Sequence, residues 1–383
     1  MLAESVTARG RARALTLAGD ASGAVADLGV LIPLASALVL KNGFDAGTVF
    51  VGVGALSLLS GLYFGVPFPV QPIKAAAAIT IARGLAPATL SAAGLVLGAI
   101  LLVLAATGGA RALARMFAQP IVRGIQLGVG LILIRSGSHL TTAPGASTMV
   151  VAAAVAAGLI LASRRAERFP VALLVVVGSI LYSIARGTHL TISVSRWHPH
   201  VATAALHPSV LWSAFILLVV PQIPLTFGNA VVAVSDLEHR YFGARARRIT
   251  PTSVSLSCGL ADVAVGALGG MPMCHGSGGL TAHVRAGART SRMNVIMGSG
   301  LLVLGLFFGR AALTLLALIP VAVLMGFLFF AGVLHAWLVA DRRGYELIVA
   351  VAMGVVGAVT SNLAVSLALG LLLWWPVKIA RIP

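Results

Sequence analysis

The sequence predicts an all-α polytopic membrane protein built as two inverted copies of seven segments. Three observations carry that expectation. The 383 residues are 59% hydrophobic and only 10% charged, with a mean hydropathy of +1.02, well outside the usage of soluble domains. Apolar runs near the length needed to cross a bilayer recur along the whole chain, for example at 23–40, 89–107, 210–234 and 311–330. Two interruptions rich in Pro and Gly, GVPFPVQPIK at 65–74 and GMPMCHGSGG at 270–279, stand at matching places in the two halves. Paired breaks of this kind point to an inverted-repeat transporter with its substrate site near the bilayer midplane.

Helices rather than strands follow because unsatisfied backbone groups are costly in lipid and period-two alternation is absent. Fourteen segments are expected, at 20–40, 46–64, 71–82, 88–107, 120–135, 148–162, 170–185, 209–234, 250–268, 275–284, 293–309, 311–333, 345–360 and 361–377. The third and tenth are short. The basic stretch 1–19 leads into a first span that carries Asp20 and Asp27 and has no clear cleavage site, so it reads as a mature span and not a signal peptide. Cys258 and Cys274 both lie in apolar segments, which gives no disulfide framework.

Charge sets the orientation. With the N-terminus cytoplasmic, twenty of the 27 basic residues fall inside: Arg9, Arg11, Arg13, Arg111, Arg115, Arg123, Arg164, Arg165, Arg168, Arg240, Arg245, Arg247, Arg248, Arg285, Arg289, Arg292, Arg342, Arg343, Lys378 and Arg381. Lys41, Arg83, Arg135, Arg186, Arg196 and Arg310 fall outside, and Lys74 alone lies within the membrane. The alternation obeys the positive-inside rule, so both termini are expected in the cytoplasm, at a bacterial inner (plasma) membrane. The formal charge of +17 is thereby a matter of topology. Basic residues spaced between spans without interleaved aromatics give no reason to expect a nucleic-acid partner.

The halves echo each other. LIPL at 31–34 matches QIPL at 222–225, an offset of 191, and GLYFGVP at 61–67 matches GALGGMP at 266–272, an offset of 205. A longer basic loop at 237–250 absorbs the difference. Seven spans per copy, an odd number, makes the second copy inverted.

The breaks carry the chemistry. Pro67, Pro69 and Pro72 remove N–H donors and end any entering helix, after which Ile73, Lys74 and Ala75 can begin a new one. In the second break Gly276, Gly278 and Gly279 permit close backbone approach, and a helix starting near His275 presents another set of free N–H groups. Two helix N-termini facing one cavity form an anion site. Lys74 adds a full positive charge there, the alternative being a structural pairing with Asp27 or Asp262. Those two intramembrane carboxylates are candidates for ion or proton coupling. Gln71, Gln222, Thr226 and Asn229 are uncharged donors near the breaks, with polar glue between helices as their other reading. The expected substrate shell is Gln71, Ile73, Lys74, Ala75, Gln222, Thr226, Asn229, Cys274, His275, Gly276, Ser277 and Gly278.

Other chemistries are disfavoured. Cys274 and His275 are sequence neighbours that do not normally face each other at a helix start, and no third orienting group is evident, so no enzyme is expected. His139, His189, His198, His200, His207, His239 and His335 show no metal-ligand spacing and read as interfacial or solvated, with His283 a surface feature of the inner face. No metal and no cofactor are expected. The HGSGG run lacks the strand context and GK[ST] ending of a nucleotide loop.

PVQPIKAAAA and MPMCHGSGGLTAH, together with ADLGVLIP of the first span and PQIPLTFGNA, resemble the molybdate transporter family related to the SulP sulfate permeases. The resemblance implies the seven-plus-seven fold of the SulP and uracil-permease type. It divides the chain into a core domain at 20–118 and 209–310 and a gate domain at 119–208 and 311–383. It also implies uptake of molybdate, with a homodimer expected by analogy. The chain ends soon after its last span, at Pro383, without the cytoplasmic regulatory domain of typical sulfate permeases, which favours molybdate over sulfate. The reading is therefore a secondary transporter of a tetrahedral oxyanion working by alternating access, the alternatives being sulfate transport or an anion channel on the same fold.

Overall fold

A computed structural model describes residues 15–141, 144–163, 170–187 and 194–380, the last four by backbone alone. Arg9, Arg11, Arg13, Arg164, Arg165, Arg168, His189 and Arg381 lie outside the described residues. The described residues are mostly helical. The first half runs α1 (Leu15–Asn42), α2 (Ala46–Phe64), the two-residue strand β1 (Gln71–Pro72), α3 (Lys74–Arg83), α4 (Pro87–Ala106), α5 (Gly109–Ala114), α6 (Gln119–Ser138), α7 (Ala146–Ser163) and α8 (Val171–Ala185). The second runs α9 (Pro208–Ala246), α10 (Pro251–Ala267), β2 (Met273–Cys274), α11 (Ser277–Arg285), α12 (Arg292–Phe308), α13 (Ala311–Leu316), α14 (Val321–Ala336), α15 (Gly344–Thr360) and α16 (Leu363–Ala380). Seven of these helices are long and apolar enough to cross a membrane, and four shorter apolar helices join them. The protein is an integral membrane protein.

Local chemistry sets the boundaries. Asp45 caps α2 by accepting from the Thr48 N–H at 2.7 Å, and Thr250 with Ser253 forms a capping box ahead of Pro251 in the first turn of α10. Gly65 and Gly84 close α2 and α3 in the left-handed region, at φ 73° and 61°, conformations that favour glycine. In α9, Pro221 and Pro224 withhold their N–H groups, and the helix widens into π-type turns at Phe215–Val219 and Thr226–Ala233.

Two expectations are corrected. The span expected at 209–234 continues as α9 to Ala246, so most of the loop expected at 237–250 is helical. The segment expected at 311–333 is two helices, α13 and α14, because Pro320 terminates the connection and starts the second. The same arrangement occurs in the first half, where short α5 precedes α6 with Pro120 in its first turn. The copies thus match element for element: α1 with α9, α2 with α10, α3 with α11, α4 with α12, and onward to α8 with α16.

Helix pairing is reciprocal between copies. α2 packs along α12 and α4 along α10, so the second helix of each half lies on the fourth of the other. α6 packs on α14 and α15, and α7 on α14, which repeats the exchange for the remaining helices. Glycines make these contacts close. A Cβ on Gly54 would stand 2.8 Å from the Gly298 carbonyl oxygen and one on Gly298 2.8 Å from that of Gly54, and Gly98 with Gly259 repeats the arrangement at 2.8 and 3.0 Å. Lipid supplies no hydrophobic drive between helices, so association rests on such backbone approach.

The buried apolar side chains form three clusters. One is built on α1 to α4 with α9, α10 and α12; a second on α6, α7, α8, α14, α15 and α16 with faces of α1 and α11. The third joins Phe64, Phe68, Val122, Phe227, Val231 and Leu280.

If the glycine contacts hold the bundle, Gly54→Val should destabilise the protein by about 1–3 kcal/mol through overpacking. Gly300→Val, at a site of α12 with open space around it, should leave the thermal midpoint in detergent unchanged. Equal midpoints for the two variants would contradict this account.

Candidate functional site

Both breaks meet. β1 and β2 pair antiparallel with Gln71 opposite Cys274 and Pro72 opposite Met273, and the Ile73 N–H donates to the Pro272 carbonyl at 3.2 Å. Because Lys74 and Ser277 open α3 and α11 three residues after Gln71 and Cys274, that facing pair is also an equivalent pair. A local two-fold therefore runs through this ladder, and the helices leave it in opposite directions with their N-termini side by side. Ile73 and Gly276 occupy the N-cap positions and neither supplies a side-chain acceptor to its own helix.

Polar side chains brace the broken backbone. Asn294 of α12 accepts from the Phe68 N–H at 2.8 Å and donates to the Phe68 carbonyl at 2.6 Å. Asp262 of α10 accepts from the Met273 N–H at 2.7 Å. Gln222 of α9 accepts from the Ala76 N–H at 3.1 Å and donates to Thr226 at 2.9 Å, so it caps the first turn of α3 from outside that helix. His275 is bonded through Nδ1 to the Pro69 carbonyl at 2.8 Å and through Nε2 to Ser257 at 2.9 Å, while Phe68 stands edge-on to its ring.

Between the tips lies Gln71, fully buried. It donates to Asp27 and accepts from the Lys74 ammonium, forming a chain from carboxylate through amide to amine. Asp27 sits where the helical turns of α1 are interrupted, and its second oxygen has no partner among the described residues. Gly276 and Gly279 make room for this chain: a Cβ on Gly276 would fall on the Gln71 amide oxygen, and one on Gly279 would stand 2.8 Å from an Asp27 oxygen. Among these groups Lys74 and Ala75 keep partial exposure, and Ala78 and Ala82 continue an accessible stripe along α3 to Arg83.

The second tip is covered. Ser277 donates to Asn229 of α9, and His335 of α14 bonds to Ser277 at 3.0 Å and to Thr281 at 2.8 Å. Gly278 lies against Leu133 and Val129 of α6. The expected shell residues thus gather around one locus, with Asp27 in contact with it and Asp262 set behind β2. Lys74 makes no direct ion pair with either carboxylate among the described residues.

Two histidine expectations are overturned. His335 is wholly buried and bonded to the α11 tip, because α14 begins at Val321 and carries position 335 inside the helix. His283 is also wholly buried, bonded through Nδ1 to the Gly23 carbonyl. Asn294 and Ser257 bond to the breaks and carried no motif, so their polarity inside apolar segments was the available signal; Thr281 stands within MPMCHGSGGLTAH but outside the expected shell. Cys274 and His275 do not pair, since both His275 nitrogens have other partners and the Cys274 thiol faces the Pro72 carbonyl at 3.9 Å.

The family model described as "Molybdate transporter of MFS superfamily" matches residues 19–133 and 214–334, more than half of the chain and both breaks. The chain belongs to this family. Among curated family relatives, "Molybdate transporter 2" of Arabidopsis thaliana is 30% identical over 415 residues, covering 95% of this chain and 88% of that protein. "Molybdate transporter 1" of Chlamydomonas reinhardtii is 27% identical, covering 85% of this chain and 84% of that protein. Among solved structures, the transmembrane domain of a cyanobacterium bicarbonate transporter, BicA, aligns with a TM-score of 0.58 at 18% identity over 92% of this chain and 96% of that one. The murine anion transporter Slc26a9 in the inward-facing state aligns with a TM-score of 0.53 at 14% identity, over 95% of this chain and 68% of that one. The family member described here therefore has the inverted-repeat fold of those transmembrane domains.

Asn294→Ala would strand the Phe68 N–H and carbonyl together, each at about 1–3 kcal/mol. The expected result is a lower thermal midpoint in detergent, with Asn294→Asp intermediate because it keeps only the acceptor. A midpoint unchanged in Asn294→Ala would remove the clamp from the argument.

Proposed function

We propose that this chain is a secondary transporter that takes up a tetrahedral oxyanion, molybdate, by alternating access. The observation that carries the reading is the strand-paired meeting of two half-helix N-termini beside Lys74, in a chain that belongs to a molybdate transporter family. Each N-terminus contributes roughly half a positive charge and Lys74 one more, a sum near that needed to balance a dianion. Free first-turn N–H groups at Lys74, Ala75, Ser277 and Gly278 would hold oxyanion oxygens, with the ammonium turning from Gln71 toward the ligand. Gln71 and Asn229 stand within reach of the same space, while Gln222 and Thr226 keep α3 in place.

Asp27 is the coupling residue of this proposal. Its carboxylate is linked through Gln71 to Lys74, so any shift of Lys74 toward an anion changes the charge environment of Asp27. Asp262, holding the Met273 N–H, is the weaker coupling candidate. The helices at 20–118 and 209–310 act as a core that moves against a gate at 119–208 and 311–383, with both termini in the cytoplasm by the positive-inside rule. Transport without chemistry on the substrate fits the separate engagements of Cys274 and His275, so no enzymatic role is assigned.

Uptake of labelled molybdate into proteoliposomes should saturate and be competed by tungstate. Lys74→Ala should raise the half-saturation concentration about tenfold or more, the worth of a hydrogen bond to a charged group. Unchanged half-saturation removes Lys74 from the site, and conductance without saturable uptake replaces the carrier with a channel.

A further inference from the structure

Away from the half-helix tips, four charged side chains tie the two proposed moving bodies together. Arg123 of α6 is 2% exposed and donates to Asp236 of α9 at 2.7 Å, to Gln126 at 2.9 Å, and through Nε and Nη2 to Asp341, which follows α14, at 3.0–3.1 Å. Gln119 of α6 donates to the other Asp236 oxygen at 2.9 Å. Arg240 of α9 donates to Asp341 at 2.7 Å. The exchange is reciprocal: an arginine of the gate holds an aspartate of the core, and an arginine of the core holds an aspartate of the gate. Arg342 also bonds Asp341, at 2.9 Å, and Glu346, at 3.2 Å, but these three share the gate side.

The cluster occupies the end of the bundle where α6 begins and α9 ends, the basic end expected to face the cytoplasm. The tips differ in the same sense. α3 packs on α1, α4 and α9 and keeps its accessible stripe toward Arg83, whereas α11 packs on α6 and α14 and is bonded to His335. Protein thus covers α3 less than α11, and the uncovered stripe runs away from the arginines. If α6 moved off α9, Arg123 would lose its bond to Asp236 and keep Asp341 and Gln126, so its buried guanidinium stays paired on the gate side while Asp236 is released to water. Partly exposed Arg240 can regain water more easily.

We propose that Arg123–Asp236 and Arg240–Asp341 form a latch that closes the basic end while the site is reached along α3, and that both pairs separate for the substrate to leave on that side. The inference rests on the alternating-access reading above. The latch also explains why Asp341 serves two arginines from different bodies: it lets the gate side hold Arg123 in position whether or not α9 is engaged.

The test uses a cysteine at Val122, which is 1% exposed beside Arg123 and packs in the cluster with Phe227, Val231 and Leu280. In purified Val122→Cys protein, maleimide labelling above the parent's background reports separation of α6 from the core. Adding Asp236→Asn should accelerate labelling about tenfold, the worth of one hydrogen bond to a charged group. Arg240→Gln should accelerate it too, and Arg342→Gln, which breaks pairs on the gate side alone, should not. If Asp236→Asn fails to fold, Arg240→Gln carries the test, because that side chain is 40% exposed. Unchanged labelling in Asp236→Asn and Arg240→Gln, or equal acceleration by Arg342→Gln, overturns the latch. Labelling needs no substrate, so absence of molybdate uptake by the parent protein would count against the transport reading and not against the latch.

Discussion

The fold depends on one constraint: backbone broken in the middle of a membrane has to find hydrogen-bond partners inside the protein. Each unpaired group in hydrocarbon costs several kcal/mol, comparable to the whole stability of many folded domains. The first copy's break is closed by the second copy, and the second copy's break by β1, by the Pro69 carbonyl through His275 and by Asp262 of its own half. β1 takes β2 as its ladder partner, Asn294 of the second copy closes both backbone groups of Phe68, and Gln222 of the second copy caps α3 at Ala76. Neither half could hold its half-helix at this depth alone. Mutual satisfaction makes the two-fold relation a requirement of stability as well as a trace of duplication.

The same solution produces function. Pairing two strands of opposite direction forces the helices that follow to start side by side, so their unpaired N–H groups converge without added cost in charge. Glycine at 276 and 279 then admits Gln71, which keeps a lysine and an aspartate in one hydrogen-bonded chain without direct contact. An ammonium held by a neutral amide is easier to draw away than one locked to a carboxylate, because no ion pair has to be broken. A site that has to bind and release benefits from that difference.

Much of this was legible in the sequence, and the reasons are specific. Pro67, Pro69 and Pro72 end a helix in one break, and in the other the glycine-rich run at 276–279 places Gly276 at the N-cap and Gly278 and Gly279 in the first turn of α11, so the half-helices followed from backbone chemistry. Span positions followed from apolar runs, and most boundaries fall within a few residues of those expected. One exception is instructive. Apolar character continues through 311–330, so nothing in hydropathy separates α13 from α14; only Pro320, read against Pro120 in the other copy, marks the start. That error displaced His335 from the membrane and hid its bond to the α11 tip. Asn294 escaped for a different reason: one amide in a span gives no spacing signal, and its importance comes from what lies 226 residues away at Phe68.

The inequality between the two tips follows from these contacts. Two copies of one unit would present α3 and α11 identically if the bundle were symmetric. Yet α11 is held by His335, Leu133 and Val129 of the surrounding helices, and α3 keeps an accessible stripe. The strand ladder is common to both tips, so it cannot be the source of the difference. What distinguishes them is how the outer helices lean, and the arginine–aspartate pairs lie where those helices and α9 converge. In the alternating-access reading, the second state is the one in which α3 is covered and α11 is free. Alternation between the sides then requires exchange of a limited set of polar contacts around a strand-braced centre that stays intact.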